Sequence, residues 1–461
     1  MTKIDPHLFR SYDIRGTVPD QINEEVCKLA GRAFGSVLRE MYAKENPEVI
    51  VGRDARTHGS SLMSAVIEGL VSVGCRVKII GETPSPVNFF AVCNGGFDGS
   101  MQVTASHNEA QFNGLKLQTR SAEAFAGEDI QSLLKRIKEK NFLSGKGSVE
   151  DYDAITPYKK KLGEMFSEIG ENLKIAVDNG NGISGPVYNA VLKETGCSLI
   201  EIFSEPNGNF PNHLADPSKY ETLKILQKKV KEEKADLGIA FDGDGDRVGF
   251  VDEKGKIRTP DEILLLLAKG HLKRNPGGTV IFTVSNSGVL ETEIKKWGGK
   301  PLMCKVGHSH VEHAMRKHRA KLGGEQSGHF FCAENYYGYD DALFAALKVI
   351  EILSKSEKPF SELFGKFPEV FQMPELRPHC PDEKKSGVVN DAVRYFSRNN
   401  PVNTLDGARI DFGDGAWAGI RQSNTAPRLS ICMEARSEEK LEEVKGMVLG
   451  HLKKYREIEW E

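Results

Sequence analysis

No stretch of this chain stays apolar for long. The longest aliphatic run, Ile263 to Ala268, falls far short of the ~20 residues that span a bilayer. The opening segment MTKIDPHLFRSYDIRG has no apolar core of the kind a secretory leader carries. Neither sign of charge dominates: 62 Lys and Arg stand against 65 Asp and Glu, for a net charge of -3. That balance leaves no nucleic-acid footprint and no polybasic patch for a membrane surface. Eight cysteines are scattered, and no two form C-x-x-C, which argues against a zinc site or redox dithiol and fits a reducing cytoplasm. The expectation is a cytoplasmic protein acting on small molecules, without nucleic acid or membrane as partner. One hydrophobic core stops growing near ~250–300 residues, so 461 residues predict three or four domains.

What is present is a repeat. EVIVGRDARTHGSSLMSAVIEGLVSVGCRVKIIG (48–81) reads as strand, polar turn, helix, Gly, strand. LKIAVDNGNGISGPVYNAVLKETGCSLIEIF (173–203) and GTVIFTVSNSGVLETEIKKWGGKPLMCKVG (278–307) share that grammar. Each helix is expected to stop at a glycine, Gly74, Gly196 or Gly298, the residue favoured where a helix ends in the left-handed conformation. Strand–helix–strand order predicts right-handed crossovers and largely parallel sheets. Each unit then adds a strand that ends in an unusual polar loop: TASHNEAQFNGLK, DGDGDR and GGEQSGH. In open parallel sheets ligands bind beyond the carboxyl ends of strands, so the three loops are expected to converge on one cleft.

The last ninety or so residues differ. Prolines crowd 368–381 and suggest a linker; then come a helix over 387–398, a hairpin around DFGDGAWAGI, the loop RQSNTAPR, the strand LSICMEA and a charged final helix. This reads as a small α+β domain with an antiparallel sheet. The predicted fold is therefore α/β: three similar domains, 1–150, 151–256 and 257–368, and a smaller fourth domain, 369–461, around a central cleft.

DGDGDR sets Asp242, Asp244 and Asp246 at alternate positions, and its glycines let the chain curl so that their oxygens converge. Carboxylates within ~5 Å repel by about 3 kcal/mol per pair at an effective dielectric of about 20. A divalent cation removes that cost, and a few hard oxygens favour Mg²⁺ with room left for phosphate or water. An EF-hand would also put a glutamate, Glu253, at the twelfth position, but Arg247 stands where such a loop needs Gly. An aspartyl-phosphate nucleophile stays open on spacing alone. Ser106, at the end of the strand before SHN, invites a Ser–His–Asp reading. That reading is rejected because adjacent positions 106 and 107 do not readily bring the ring to the hydroxyl, and the G-x-S-x-G elbow is absent. A serine close to Mg²⁺ suits phosphoryl transfer instead. Glu325, Ser327 and His329 offer acceptors, a donor–acceptor and a proton carrier for sugar hydroxyls. Arg421, Ser423, Asn424 and Thr425 make a phosphate cradle that is not a P-loop.

Taken together, TASHN, DGDGDR, GEQSGH and RQSNTAP, with SYDIRG near the start and NGLK after the serine, resemble the α-D-phosphohexomutases of the bacterial phosphomannomutase/phosphoglucomutase type. The resemblance runs over essentially the whole chain. It implies phosphoserine at Ser106 and one Mg²⁺ held by Asp242, Asp244, Asp246 and a phosphoserine oxygen. It implies that Tyr12 and Arg15 belong to the site, that Lys116 does acid–base work and that Arg247 lies beside the metal loop. It assigns His308 to reading which way the sugar lies, Glu325, Ser327 and His329 to sugar contacts, and Arg421, Ser423, Asn424 and Thr425 to phosphate.

The implied reaction moves phosphate reversibly between C6 and C1 of a hexose, through a hexose 1,6-bisphosphate that turns over in the cleft. Lys116 or His329 is the candidate base for the attacking hydroxyl, and the fourth domain is the natural lid. Small hexose phosphates are the expected partners of a monomer or weak dimer. Two departures bear on the sugar: Ser285 stands where some bifunctional members have Lys, and Gln326 looks more like phosphoglucosamine mutases, whereas Asn424 looks like the hexose branch. Mannose or glucose phosphate is the expected substrate, with glucosamine phosphate mutation and metal-dependent sugar-phosphate hydrolysis as alternatives.

Overall fold

The structure, a computed structural model, describes residues 4–424 and 426–460. Its first three domains repeat one strand plan. In the first, Glu48–Arg53 lies between Arg76–Glu82 and Gly99–Val103, all parallel. In the second, Lys174–Asp178 lies between Ser198–Ile202 and Leu237–Phe241. In the third, Thr279–Thr283 lies between Lys300–Cys304 and Leu322–Gly324. The crossover helices Gly59–Ser72, Gly185–Glu194 and Gly288–Lys296 give way within two residues to Gly74, Gly196 and Gly298. These glycines have φ of 94°, 92° and 75°, the left-handed stop that a Cβ resists.

Each unit then turns back on itself. The strands Phe112–Thr119, Val248–Asp252 and Phe330–Cys332 pair antiparallel with Gly99–Val103, Leu237–Phe241 and Leu322–Gly324. All three polar loops thus hang at the same topological place, between a parallel strand's carboxyl end and its returning neighbour.

Ile263–Ala268 is the middle of the helix Pro260–Arg274 and is buried on every side, as expected of a helix without a polar face. A capping box between Thr259 and Glu262 starts it. It belongs to one continuous apolar cluster that also takes in Phe89 and Phe90 of the first domain and Tyr188 and Phe241 of the second.

The fourth domain has a core of its own, including Val388, Ile410, Ile431 and Val448. Its antiparallel sheet runs in the order Phe371–Leu376, Leu429–Ala435, Trp417–Gln422, Ala408–Asp411, Val402–Asn403. Helices Asp382–Phe396 and Glu438–Leu452 pack against it. The proline-rich stretch read as a linker is corrected here: Phe371–Leu376 is the edge strand of this sheet, with an irregularity between Met373 and Leu376 around Pro374. Proline lacks an N–H, and an edge strand with a bulge tolerates that loss.

Candidate active site

Ser106 follows the strand Gly99–Val103 and is almost fully buried. Its φ is 51°, a left-handed value that a non-glycine residue holds only when its surroundings fix it. Its Oγ donates to Asp242 Oδ2 at 2.9 Å and lies 3.1 Å from His107 Nδ1. The expectation that the neighbouring ring stays away from the hydroxyl is therefore wrong: the left-handed turn folds His107 back toward its own predecessor. Burial, with Arg247 and Arg15 nearby, holds His107 well below the usual imidazole range.

The three aspartates converge as their spacing implied, with a carboxylate oxygen from each within 4.8 Å of the others. Asp242 Oδ1 accepts from the backbone N–H groups of Gly245, Asp246 and Arg247 at 3.0, 3.0 and 3.1 Å. These bonds curl the loop into a nest, and Gly245 turns the corner at φ 81°. Asp244 Oδ2 accepts from Ser85 Oγ and, at 2.6 Å, from Lys116 Nζ. Lys116 also donates to Asp246.

Burial, then the charges of Asp246 and Asp244, push Asp242 well above the usual carboxylate range. Burial pushes Asp246 the same way, but Lys116 and His329 outweigh it and hold the carboxyl low. Burial disfavours the charged Lys116, yet Asp244 and Asp246 raise its pKa.

The third loop closes on the second. His329 Nε2 lies 3.3 Å from Asp246 Oδ1, and its Nδ1 lies 3.1 Å from Glu325 Oε2 and from Ser327 Oγ. Burial opposes the imidazolium, but Asp246 and Glu325 favour it and move His329 up to about 10. Arg247 Nε also lies 3.3 Å from Nε2, placed to donate to the neutral ring, and its charge opposes the imidazolium. Asp340 Oδ2 stands 3.8 Å from the same nitrogen.

His308 begins the helix His308–His318, with Nδ1 4.0 Å from Glu312 Oε1. Burial lowers its pKa, and Glu312 and Asp340 more than restore it. Glu325 Oε1 accepts from Gly307 N at 2.7 Å, which ties the sugar-loop candidate to the His308 loop.

Tyr12 joins three domains: its hydroxyl donates to Val306 O and accepts from Asn424 Nδ2. Arg15 donates to Asn108 Oδ1 at 2.8 Å and pairs with Asp13. Arg421 lies 3.9 Å from Asp406, and Ser423 Oγ accepts from Arg377 at 3.1 Å. Thr425 lies outside the described residues. Ser285 lines a small cavity between the third and fourth domains with Asp406, Arg409 and Arg421, and Gln326 faces Cys432 across the same interface at 3.8 Å.

Sequence reasoning did not single out Ser85, Asp340 or Glu312, nor Lys385, which donates to Ser423 O at 2.8 Å and Ala426 O at 3.1 Å. A lysine three positions after Asp382, on one helix face, was the available signal for the last.

The donor set fits a hard divalent cation. Opposite ligands of Mg²⁺ stand about 4.2 Å apart at its ~2.1 Å bond length, close to the spread of the three carboxylates. Asp244 Oδ1 is buried without a hydrogen-bond partner, and an orphaned carboxylate oxygen in such a cluster is a ready ligand. Among the described residues no helix is long and apolar enough to cross a membrane.

The fold and this site define a buried serine-and-carboxylate centre shared among repeated α/β/α domains. Four family models match the chain in order. These are phosphoglucomutase/phosphomannomutase alpha/beta/alpha domains I (6–144), II (156–255) and III (259–371), and the C-terminal domain of the same family (375–451). A phosphomannomutase/phosphoglucomutase of Pseudomonas aeruginosa is 40% identical over 448 residues, 97% of this chain and 95% of that protein. A phosphoglucomutase of Neisseria gonorrhoeae is 36% identical over 452 residues, 97% and 96% of the two chains. The crystal structure of a phosphoglucomutase/phosphomannomutase family protein from Burkholderia thailandensis superposes with a TM-score of 0.90 at 37% identity, covering 98% of each chain. The chain belongs to the phosphoglucomutase/phosphomannomutase family, and it is an isomerase of that class.

Proposed function

We propose that this enzyme moves phosphate reversibly between C6 and C1 of mannose and glucose, with Ser106 as the phosphoryl carrier. The observation that carries the reading is Ser106 Oγ, buried and 2.9 Å from Asp242, one member of a three-carboxylate cluster. A hydroxyl in that place has no anion of its own to offer; a phosphoryl group on it would bring charge for the cations around it to answer.

Asp242, Asp244 and Asp246 would hold Mg²⁺ with an oxygen of that group. When bound, the ion supplies neutralisation of charge on the transferring phosphoryl.

The chain's own residues do the rest. Phosphoserine 106 gives its phosphoryl to the free sugar hydroxyl: the Ser106 Oγ–P bond breaks, a sugar O–P bond forms, and the hydroxyl proton passes to a base. The hexose 1,6-bisphosphate then turns over and returns its other phosphate to Ser106. Lys116, the residue expected to take that proton, donates to Asp244 and Asp246, which favour its ammonium form, so it suits a proton donor better than a base. His329, held charged by Asp246 and Glu325, suits an acid or an oriented donor to a sugar hydroxyl better than a base.

Glu325 and Ser327 grip hydroxyls from the same loop, and His308 stands where it reads the sugar's orientation. Arg421, Ser423, Asn424 and Thr425 hold the non-reacting phosphate, and Tyr12, bonded to Asn424, brings them to the cleft. One phosphate site must serve either end of the sugar, so it reads charge and geometry more than sugar identity. The proposed setting is the cytoplasm, where sugar phosphates are the small-molecule partners.

Turnover of mannose, glucose and glucosamine phosphates is measured side by side, with Mg²⁺ and after chelation, and with a bisphosphorylated primer. The expected result is Mg²⁺-dependent interconversion of mannose and glucose phosphates with almost no free phosphate. Clear preference for glucosamine 6-phosphate overturns the substrate assignment, and stoichiometric release of phosphate overturns the mutase in favour of a phosphatase.

A further inference from the structure

Arg56 is fully buried, yet it lies outside every loop assigned a chemical role. A buried guanidinium is costly unless each donor is satisfied. Here all five N–H groups are. Nη2 donates to the carbonyls of Ser106 (2.9 Å) and Asn108 (2.7 Å). Nη1 donates to those of Glu109 (2.6 Å) and Phe112 (2.9 Å). Nε donates to Asp54 Oδ2 at 3.1 Å. The four carbonyls belong to the turn that carries the serine.

Asp54, itself buried, completes the device. Its Oδ1 accepts from Arg56 N at 2.9 Å, and its Oδ2 accepts from Thr104 Oγ1 at 2.7 Å. Thr104 Oγ1 in turn accepts from Ser106 N at 2.9 Å. Both backbone polar groups of Ser106 are therefore tied to one ion pair, the N–H through Thr104 and Asp54 and the C=O through Arg56. This is the restraint that a left-handed φ of 51° at a serine needs.

The second domain covers the clamp. The Phe210 ring lies 5.1 Å from the guanidinium, and a Cβ on Gly208 would stand 2.4 Å from Ala55 O. A Cβ on Gly243, in the metal loop, would stand 2.5 Å from Ser106 O. The carbonyl that Arg56 fixes is thus the one against which the aspartate loop packs.

We propose that Arg56, held by Asp54, is a positioning residue for phosphoryl transfer. It sets the Ser106 turn so that Oγ faces Asp242, and it does so without touching the sugar. The proposal rests on Ser106 as phosphoryl carrier. Displacing reacting atoms by ~1 Å costs on the order of 100-fold in rate, whereas groups that bind sugar and phosphate equally in ground and transition state are untouched and leave KM alone.

The test is Arg56→Lys, which keeps charge and length but loses the planar fork and can reach only part of the four carbonyls. Wild type and variant are compared for phosphoryl uptake at Ser106 from glucose 1,6-bisphosphate by intact mass, for single-turnover transfer to sugar phosphate, and for kcat and KM. The expected result is transfer and kcat reduced on the order of 100-fold, with KM unchanged. Should Arg56→Lys fail to fold, Thr104→Val carries the same test from the N–H side, with a reduction on the order of tenfold and again no change in KM. A wild type that takes no phosphoryl at Ser106 overturns the carrier and the clamp together. A phosphorylated wild type with variants that transfer at its rate, or that lose KM and kcat alike, overturns the clamp alone.

Discussion

The first three domains and the fourth meet the cleft in opposite ways. The loops of the first three are locked to one another by short polar contacts among buried groups: Ser106 to Asp242, Lys116 to Asp244 and Asp246, and His329 to Asp246. One apolar cluster joins all three beneath the loops, beside a separate core in the first domain. The fourth domain has a core of its own, and the contacts that bring it to the others include many polar ones. Arg409 donates to Val284 O and Asn286 O, Glu434 accepts from Gly288 N at 3.0 Å, and Asn424 reaches Tyr12.

Polar contacts exchange with water at little net cost, of the order of 1 kcal/mol each, whereas a shared apolar core does not open cheaply. The difference sets three domains that share an apolar cluster against a fourth that meets them through these polar contacts.

The largest test of that comparison is Ser106→Ala. Interconversion is expected to fall at least ~1,000-fold, while calorimetric affinity for hexose phosphate stays as in wild type, because the gripping groups lie elsewhere. Full activity in this variant removes the fixed centre from the account.

The cores come next. Leu264→Ala, in the shared cluster, and Ile431→Ala, in the fourth domain, are each expected to cost about 2–5 kcal/mol. Scanning calorimetry should show each lowering a different transition; a single transition shifted equally by both would mean that the four domains unfold as one.

Tyr12→Phe keeps the ring but loses the bonds to Val306 and Asn424. A bond worth about 1 kcal/mol predicts KM for the sugar phosphate raised about fivefold, with phosphoryl uptake by Ser106 unchanged. An unchanged KM would detach Tyr12 from the docking of the fourth domain.

The smallest effect is a baseline from a pair outside the cleft. The hydrogen bond from Arg274, against the opposing effect of partial burial, lowers Glu334 from an ordinary 4.5 to about 2. Its folded value lies below its unfolded one, so the ionised form supports the fold. That contribution is present above pH 4.5 and fades as pH falls toward 2. Glu334→Gln should cost up to about 1 kcal/mol at pH 7, and denaturant curves should show the cost shrinking in acid. A cost that grows in acid contradicts the sign.

The repeated strand–helix–strand grammar and the four loops were legible because apolar runs break off into glycine-rich polar segments at equivalent places. The convergence of Asp242, Asp244 and Asp246 followed from alternate spacing with glycines between. Arg56 was not legible: its carbonyl partners lie 50 to 56 residues further along the chain, and nothing in GRDARTHG distinguishes a buried guanidinium from a solvated one. The contact of His107 with Ser106 was misjudged because a left-handed φ at a serine has no signature in residue type. The edge strand Phe371–Leu376 was hidden by the prolines around it, which bar an interior strand but not this one. The upward pull on His329 comes from two carboxylates of separate domains and follows only from the assembled cleft.

The four-strand order common to the sheets of the first three domains has a consequence for descent. Each working loop is spliced onto its own scaffold at the same socket, so the strands that carry one loop are independent of those that carry the others, while the loops themselves stay coupled through Asp242, Asp244 and Asp246. A lineage that rewrites the segment at 324–329 is held to one position in it, because His329 is a partner of Asp246 in the neighbouring domain.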